Sequence, residues 1–268
     1  AELVLSGDKP AICITEPEAG SAVTDLTTTA TPDGDGYRIN GAKTYISNGQ
    51  TADFIIVVAK TDPNERAKGI SLMLLETEGA EGFQRGKKLD KIGLDASDTS
   101  ELFFDDVFVP AENVLGGEEG KGFYQLMGEL PQERLIIAMG AMTGIEKALE
   151  TTLDFVKNRK AFGQTIWDFQ NTQFVMADLK ARATAAKIFV NDCIAKHLKR
   201  ELDVPTACMA KYWVTELQGE VVDKCLQFHG GAGFINDYPI ARMYRDSRIT
   251  RIFGGSNEVM KMVIARSM

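Results

Sequence analysis

A change of hydrophobic period close to Pro110 constrains this chain more than any other feature. Before it, apolar residues come in short runs: Phe54-Ile55-Ile56-Val57-Val58-Ala59, Ile70-Ser71-Leu72-Met73-Leu74-Leu75, and Glu101 to Val109, closed by Pro110. Short β-branched or aliphatic runs bounded by polar and glycine-containing stretches are the mark of strands. Tyr37 to Gly41 and Lys43 to Ser47 read as further strand segments, with turn signals at the Asn-Gly pairs 40–41 and 48–49. After Pro110 the step becomes three and four. Val175, Leu179, Ala183, Ala186, Phe189 and Cys193 fall on one stripe of a long helix, and 131–157 and 207–228 also read as helical. Pro131 is expected in a first turn, where a missing amide hydrogen costs nothing. A last helix is expected to begin near Ser256.

Strands followed by helices make an α+β chain. The expected layout is a small antiparallel β-barrel or sandwich over 1–112, followed by an up-down helical bundle over 113–268. The chain carries 30 basic and 38 acidic residues, a net charge of −8, which argues against nucleic acid or an anionic membrane as the main partner. No apolar run reaches the roughly 18 residues that a membrane span needs. The opening Ala1 to Leu5 lacks the charged-then-apolar pattern of a secretory signal. Cys13, Cys193, Cys208 and Cys225 are scattered with no CxxC pair, which favours free buried thiols in a reducing compartment. His197 and His229 are the only imidazoles, so no zinc site is expected. Chemistry is left to carboxylates or a bound cofactor.

Ile14 to Ser21 joins a strand to a loop rich in hydroxyls and small residues, and by composition alone it is a turn. Gly231-Ala232-Gly233 lacks the third glycine and the preceding strand of a dinucleotide fingerprint. Gly116 to Gly122 looks like a phosphate loop, yet Leu115 stands where the first glycine belongs and Gly122 where a magnesium-binding hydroxyl belongs.

Five strings in order carry more: Thr15-Glu16-Pro17-Glu18-Ala19-Gly20-Ser21; Tyr45-Ile46-Ser47; Arg159-Lys160-Ala161-Phe162-Gly163 with Gln170; Gln227-Phe228-His229-Gly230-Gly231; and Ile252 to Glu258. Together they resemble the acyl-CoA dehydrogenase family over nearly the whole chain, without the helical domain that relatives carry ahead of the first string. The resemblance implies FAD as cofactor. It implies that Ile12, Cys13, Ile14 and Thr15, with Gly20 and Ser21, border the flavin. Thr15 and Ser47 supply hydroxyls near the ring, beside Ile46, and Tyr45 covers one face where relatives usually have tryptophan. Arg159 pairs with the pyrophosphate, where a guanidinium fork suits two phosphates, and Phe162 lies alongside. Gln170, Gln227, Phe228, Gly230 and Gly231 hold the adenosine part across a subunit boundary, which implies a homo-oligomer, a dimer of dimers. Ser256, Asn257 and Glu258 complete the set. Read from the residues, Gly230 and Gly231 also form a helix C-cap.

Relatives most often place their catalytic base directly before a glycine of the last string. Here that position is Gly254, which has no side chain to act. A subgroup resembling long-chain and isovaleryl-type enzymes carries the base on an earlier helix, in the string L-x-x-E-R-L. Leu130-Pro131-Gln132-Glu133-Arg134-Leu135 fits it, which implies Glu133 as base. Read blandly, Glu133 is an acid in the first turn of a helix, favoured by the macrodipole. The resemblance also implies that the Gly254 amide holds the thioester oxygen, and that Ser21, Gly69, Tyr124, Arg134 and Gly255 line the acyl or CoA path. A glycine at 254 is expected to leave room for a long, branched or bulky acyl group.

The implied reaction is α,β-dehydrogenation of an acyl-CoA in fatty-acid β-oxidation, with electrons passed to an electron-transfer flavoprotein. The implied compartment is bacterial cytoplasm or the mitochondrial matrix. Three alternatives stay open at this level: an acyl-CoA oxidase or enoyl-CoA reductase on the same fold, a non-catalytic FAD-binding subunit, and a β-plus-helix interaction protein without cofactor.

Overall fold

A computed structural model describes residues 2–268, so Ala1 lies outside the described residues. The chain divides into two compact units, Ala1–Gly128 and Glu129–Met268.

The first unit opens with a short helix, α1 (Glu2–Ser6), and is otherwise a sheet. Its strands are β1 (Pro10–Cys13), β2 (Thr29–Asp33), β3 (Gly36–Ser47), β4 (Phe54–Lys60), β5 (Ile70–Glu76), β6 (Phe83–Lys88) and β7 (Thr99–Pro110). The sheet is mixed. β4 pairs antiparallel with β5 along its whole length, while its other edge takes β1 in parallel from Phe54 to Val57 and then β2 at Lys60. From β2 the sheet continues antiparallel through β3 and β7 to β6. Alternation puts Ile39, Ile55, Val57, Met73, Leu102 and Val107 into one core with Cys13 and Ala30.

Asn40-Gly41 is not a turn. It lies inside β3, at a register shift against β7 between Ile39 and Gly41. The Asn40 carboxamide oxygen accepts the Asp106 amide at 2.8 Å, and a Cβ at Gly41 would overlap Thr28. The pair thus marks a β-bulge, which uses the same residue types as a hairpin. Asn48-Gly49 does follow the end of β3.

The helices are α2 (Gly122–Asn158), α3 (Gln170–Leu198), α4 (Val204–His229), α5 (Pro239–Ser247) and α6 (Asn257–Arg266), with a two-residue hairpin of β8 (Lys160–Ala161) and β9 (Gln164–Thr165) after α2. The helix bearing Glu133 starts at Gly122, nine residues ahead of Pro131, so Pro131 is interior rather than first-turn. Its ring nitrogen cannot bond to the carbonyl four residues back, yet the helix runs through it. The second unit is built round one apolar cluster to which α2 gives Leu135, Ala138, Met142 and Ile145, α3 gives Met176, Leu179, Ala183, Ala186, Val190 and Cys193, and α4 gives Val214, Leu217, Val221 and Cys225. On α3 the buried stripe includes Met176 and Val190, with Val175 and Phe189 at its margins. Asp203 caps α4, accepting the Thr206 amide at 2.7 Å, and Ser256 caps α6, where the last helix was expected. Gly230, at φ 56, ends α4, as the C-cap reading had it.

Candidate active site

In the first unit, the ends of β1 and β3 make a trough of about 310 Å³, lined by Ile12, Ile14, Thr15, Tyr45, Ile46 and Ser47 with Pro10, Ala11 and Asn48. The Thr44 amide donates to the Thr15 carbonyl at 2.9 Å, and the Asn48 side chain donates to the Pro10 carbonyl at 3.1 Å. A register shift between Lys43 and Ile46 leaves Tyr45 on a bulge at φ 59. The residue is 68% exposed, so a left-handed, strained tyrosine stands out into solvent. Cys13 is fully buried and does not line the trough. Gly20 and Ser21 lie exposed on the following loop.

Glu16 had no role in the sequence reading, and the structure gives it one. Its carboxylate is buried and accepts from Lys43 at 2.8 Å, the Thr27 amide at 2.6 Å and the Thr28 amide at 3.0 Å. Lys43 also donates to the carbonyls of Ile14 at 3.2 Å and Val58 at 2.7 Å. Burial by itself would raise the Glu16 pKa, but the Lys43 charge and these hydrogen bonds together lower it to about 2. The pair ties the Thr15 loop to β3 and β4. One sequence signal was there: Lys43 continues the inward alternation of Tyr37 and Ile39, and a lysine facing a core requires a buried partner.

Gly69 is buried, and its carbonyl closes the preceding loop by accepting the Thr61 and Asp62 amides at 2.9 and 3.3 Å. Tyr124, in the first turns of α2, is 52% exposed. Ser21 sits on a separate loop.

In the second unit, Glu133 projects from α2 open to solvent. Desolvation by surrounding protein raises its pKa; Arg134 opposes this and the Glu129 carboxylate one turn earlier adds to it. One turn after Glu133 comes Ile137, and its side chain fills the space beside Gly254 in which a Cβ would have to sit. Gly254 is at φ 65 and Gly255 at φ 85, two consecutive left-handed residues that turn the chain into α6. The room expected beside Gly254 is therefore taken, at the backbone, by Ile137. Arg134 points inward: its Nη1 donates to Cys208 Sγ at 3.3 Å and its buried Nε has no partner.

The structure gathers Glu133, Arg134, Gly254 and Gly255 at one end of this unit, together with a residue the sequence reading missed. Lys211 of α4, fully buried, donates to the Gly255 carbonyl at 2.8 Å and to Asn257 Oδ1 at 2.9 Å. The Asn257 amide nitrogen donates to Thr215 at 3.0 Å and Glu216 at 2.8 Å. That carboxamide is consumed inside the protein, so Asn257 reaches a ligand only through its backbone or the turn it anchors. The signal for Lys211 was its place on the α4 stripe between Cys208 and Val214, both fully buried.

Arg159 directly follows α2 with its side chain exposed, just ahead of the hairpin, and Phe162 at the hairpin tip is 96% exposed at φ 53. Gln170 opens α3 and Gln227 closes α4, both exposed; Phe228 packs partly against the bundle core; Gly231 and Glu258 are exposed and Ser256 partly buried.

Comparison with known proteins covers both units. Residues 11–107 match the family described as "Acyl-CoA dehydrogenase, middle domain", and residues 120–268 match "Acyl-CoA dehydrogenase, C-terminal domain". The chain is 49% identical over 260 residues to the mitochondrial long-chain specific acyl-CoA dehydrogenase of Sus scrofa, covering 96% of this chain and 60% of that protein. It is 37% identical over 263 residues to the caffeyl-CoA reductase-Etf complex subunit CarC of Acetobacterium woodii, covering 98% of this chain and 69% of that protein. The crystal structure of an acyl-CoA dehydrogenase from Geobacillus kaustophilus superposes with a TM-score of 0.94 at 46% identity, over 96% of this chain and 68% of that one.

Proposed function

The chain belongs to the acyl-CoA dehydrogenase family, and on that premise we propose that it is the flavin-holding, catalytic part of an enzyme oxidising acyl-CoA thioesters to trans-2-enoyl-CoAs. The trough in the first unit fits a flavin: an isoalloxazine ring needs a flat shield, apolar walls and hydroxyls for its polar edge, and Tyr45, Ile12, Ile14, Ile46, Thr15 and Ser47 offer these. Arg159, whose guanidinium makes no ion pair among the described residues, would take the pyrophosphate, and Gln170 with the Gln227–Gly231 stretch the adenosine part. Phe162, exposed at its hairpin tip, suits a surface that a ligand or a neighbouring subunit covers, which supports a homo-oligomer.

FAD, when bound, supplies the acceptor for a hydride. The protein's own work is proton transfer and charge stabilisation. The Glu133 carboxylate takes the α-proton, and that C–H electron pair becomes the new carbon–carbon double bond as the β-hydrogen departs with its own pair. The Gly254 amide donates to the thioester oxygen, where negative charge develops. Glu133 is open to solvent in this chain, and the proton transfer requires that water be excluded from it when the thioester is bound. The observation that carries the assignment is the raised pKa of Glu133 beside a turn at Gly254 that has no room for a carboxylate. Glu133→Gln is expected to keep its flavin absorbance and lose roughly 10²–10⁴-fold in turnover; near-normal turnover overturns the assignment.

The similarity to a caffeyl-CoA reductase subunit favours a second reading, the same site run as an enoyl-CoA reductase. Anaerobic titration separates them. Bleaching of the flavin by acyl-CoAs of graded length marks the dehydrogenase, reoxidation of reduced flavin by enoyl-CoA marks the reductase, and fast reaction with oxygen marks an oxidase. An electron-transfer flavoprotein as partner, and bacterial cytoplasm or mitochondrial matrix as compartment, accompany the first reading. Among the described residues no helix is long and apolar enough to cross a membrane.

A further inference from the structure

Lys211 is a charge where a helix packs only against protein. Its neighbours on the same face of α4, Ala207, Cys208 and Val214, are all fully buried, and among the described residues no carboxylate lies within ion-pair distance of its ammonium. Burying an ammonium that way is unfavourable, and an apolar side chain of similar length would pack there without that cost. What the ammonium does is bring two acceptors together, the Gly255 carbonyl at 2.8 Å and Asn257 Oδ1 at 2.9 Å.

The segment it holds needs holding. Gly254 and Gly255 are adjacent glycines at positive φ, and glycine has the most backbone freedom to lose. Beyond them, Asn257 is anchored to Thr215 and Glu216, and Arg251, just before the turn, reaches Glu216 at 3.3 Å. Two successive turns of α4 thus grip the backbone on both sides of Gly254. We infer that Lys211 is a positioning residue for the Gly254 amide: it fixes the turn so that this N–H stays aimed at the thioester oxygen. The inference rests on the reading of Gly254 given above. Burial first, then the nearby Arg134 charge, pull the Lys211 pKa down to about 8 against Glu216 and Glu258, which leaves it mostly ammonium at neutral pH.

Amide hydrogen exchange on the chain without added ligand tests the clamp. In Lys211→Met, amides across 252–258 are expected to exchange about tenfold faster or more, while the interiors of α3 and α4 keep their protection. With cofactor and acyl-CoA, the same variant is expected to lose about 10- to 100-fold in kcat, with flavin content kept and melting temperature unchanged or higher. Unchanged exchange over 252–258 in the folded variant overturns the inference, as does loosened exchange with unaltered kcat. If Lys211→Met does not fold, Asn257→Ala removes one of the two acceptors and must loosen the same segment; full protection there overturns the inference too. Loosened exchange alongside a wild-type chain that never reacts with acyl-CoA or enoyl-CoA counts against the thioester reading instead.

Discussion

The end of the Ile137 side chain occupies the place that a Cβ on Gly254 would need, one helical turn after Glu133. The two positions at which a base is expected are thereby coupled: the helix that carries the carboxylate also denies the turn a side chain. Backbone conformation enforces this independently, since Gly254 is at φ 65.

Gly254→Ala is expected to destabilise the protein by about 1–3 kcal/mol from the left-handed conformation alone, and by more from the overlap with Ile137. Pairing it with Ile137→Ala should recover the steric part and leave the conformational part. Denaturant unfolding of the single and double variants separates them; a Gly254→Ala protein as stable as wild type contradicts this geometry. By the same contact, Ile137→Ala opens space beside the proposed thioester site and should raise kcat/KM for bulkier acyl groups over straight ones by about tenfold.

Glu133 must be deprotonated to accept a proton, so kcat/KM is expected to rise with pH through its pKa. Desolvation by neighbouring protein, with Glu129 and against Arg134, holds that pKa above the ordinary glutamate value of 4.5. Glu129→Gln removes the like charge one turn away and should move the acid limb of the profile to lower pH. A pH–rate profile that stays put, or moves upward, refutes the assignment.

The Glu16–Lys43 pair predicts an acid-sensitive first unit. Glu16 titrates at about 2 in the folded state against an ordinary value of 4.5, so its contribution is present above pH 4.5 and is lost as pH falls toward 2. Linkage puts that contribution on the order of 3 kcal/mol. Glu16→Gln leaves Lys43 buried without a counter-charge and should cost roughly 3–5 kcal/mol at neutral pH, while flattening the pH dependence in that window. Urea unfolding from pH 2 to 6 checks both.

Cys13, Cys193, Cys208 and Cys225 are free and fully buried, and burial pushes the Cys13 and Cys225 thiols up to about 12 and about 11. Thiolate is the reactive form. A thiol reagent at pH 8 should therefore label the native protein slowly and the urea-unfolded protein at all four positions. Prompt labelling of native Cys13 would mean that β1 is not seated as described.

Much of the architecture was written in local pattern. The switch from strand runs to a three-four stripe, the cap at Ser256 and the C-cap at Gly230 depend on neighbours a few residues apart, and all appear where the pattern puts them. Errors fell where one residue type serves two geometries. Asn40-Gly41 reads as a hairpin turn but builds a bulge, and Pro131 reads as a helix start but lies inside one. In each case distant contacts override a local preference of about 1–3 kcal/mol.

By itself the sequence determined the order of strands then helices, the strings that carry the family, and the carboxylate at 133 with a glycine at 254, because these are properties of residue type and spacing. Tertiary structure alone decided that Lys43 closes on Glu16, that Ile137 fills the place beside Gly254, and that Lys211 grips the turn at Gly255 across 44 positions of chain. Periodicity marks Lys43 and Lys211 as inward-facing but does not name their partners, since these depend on which faces of distant elements come into contact when the core packs.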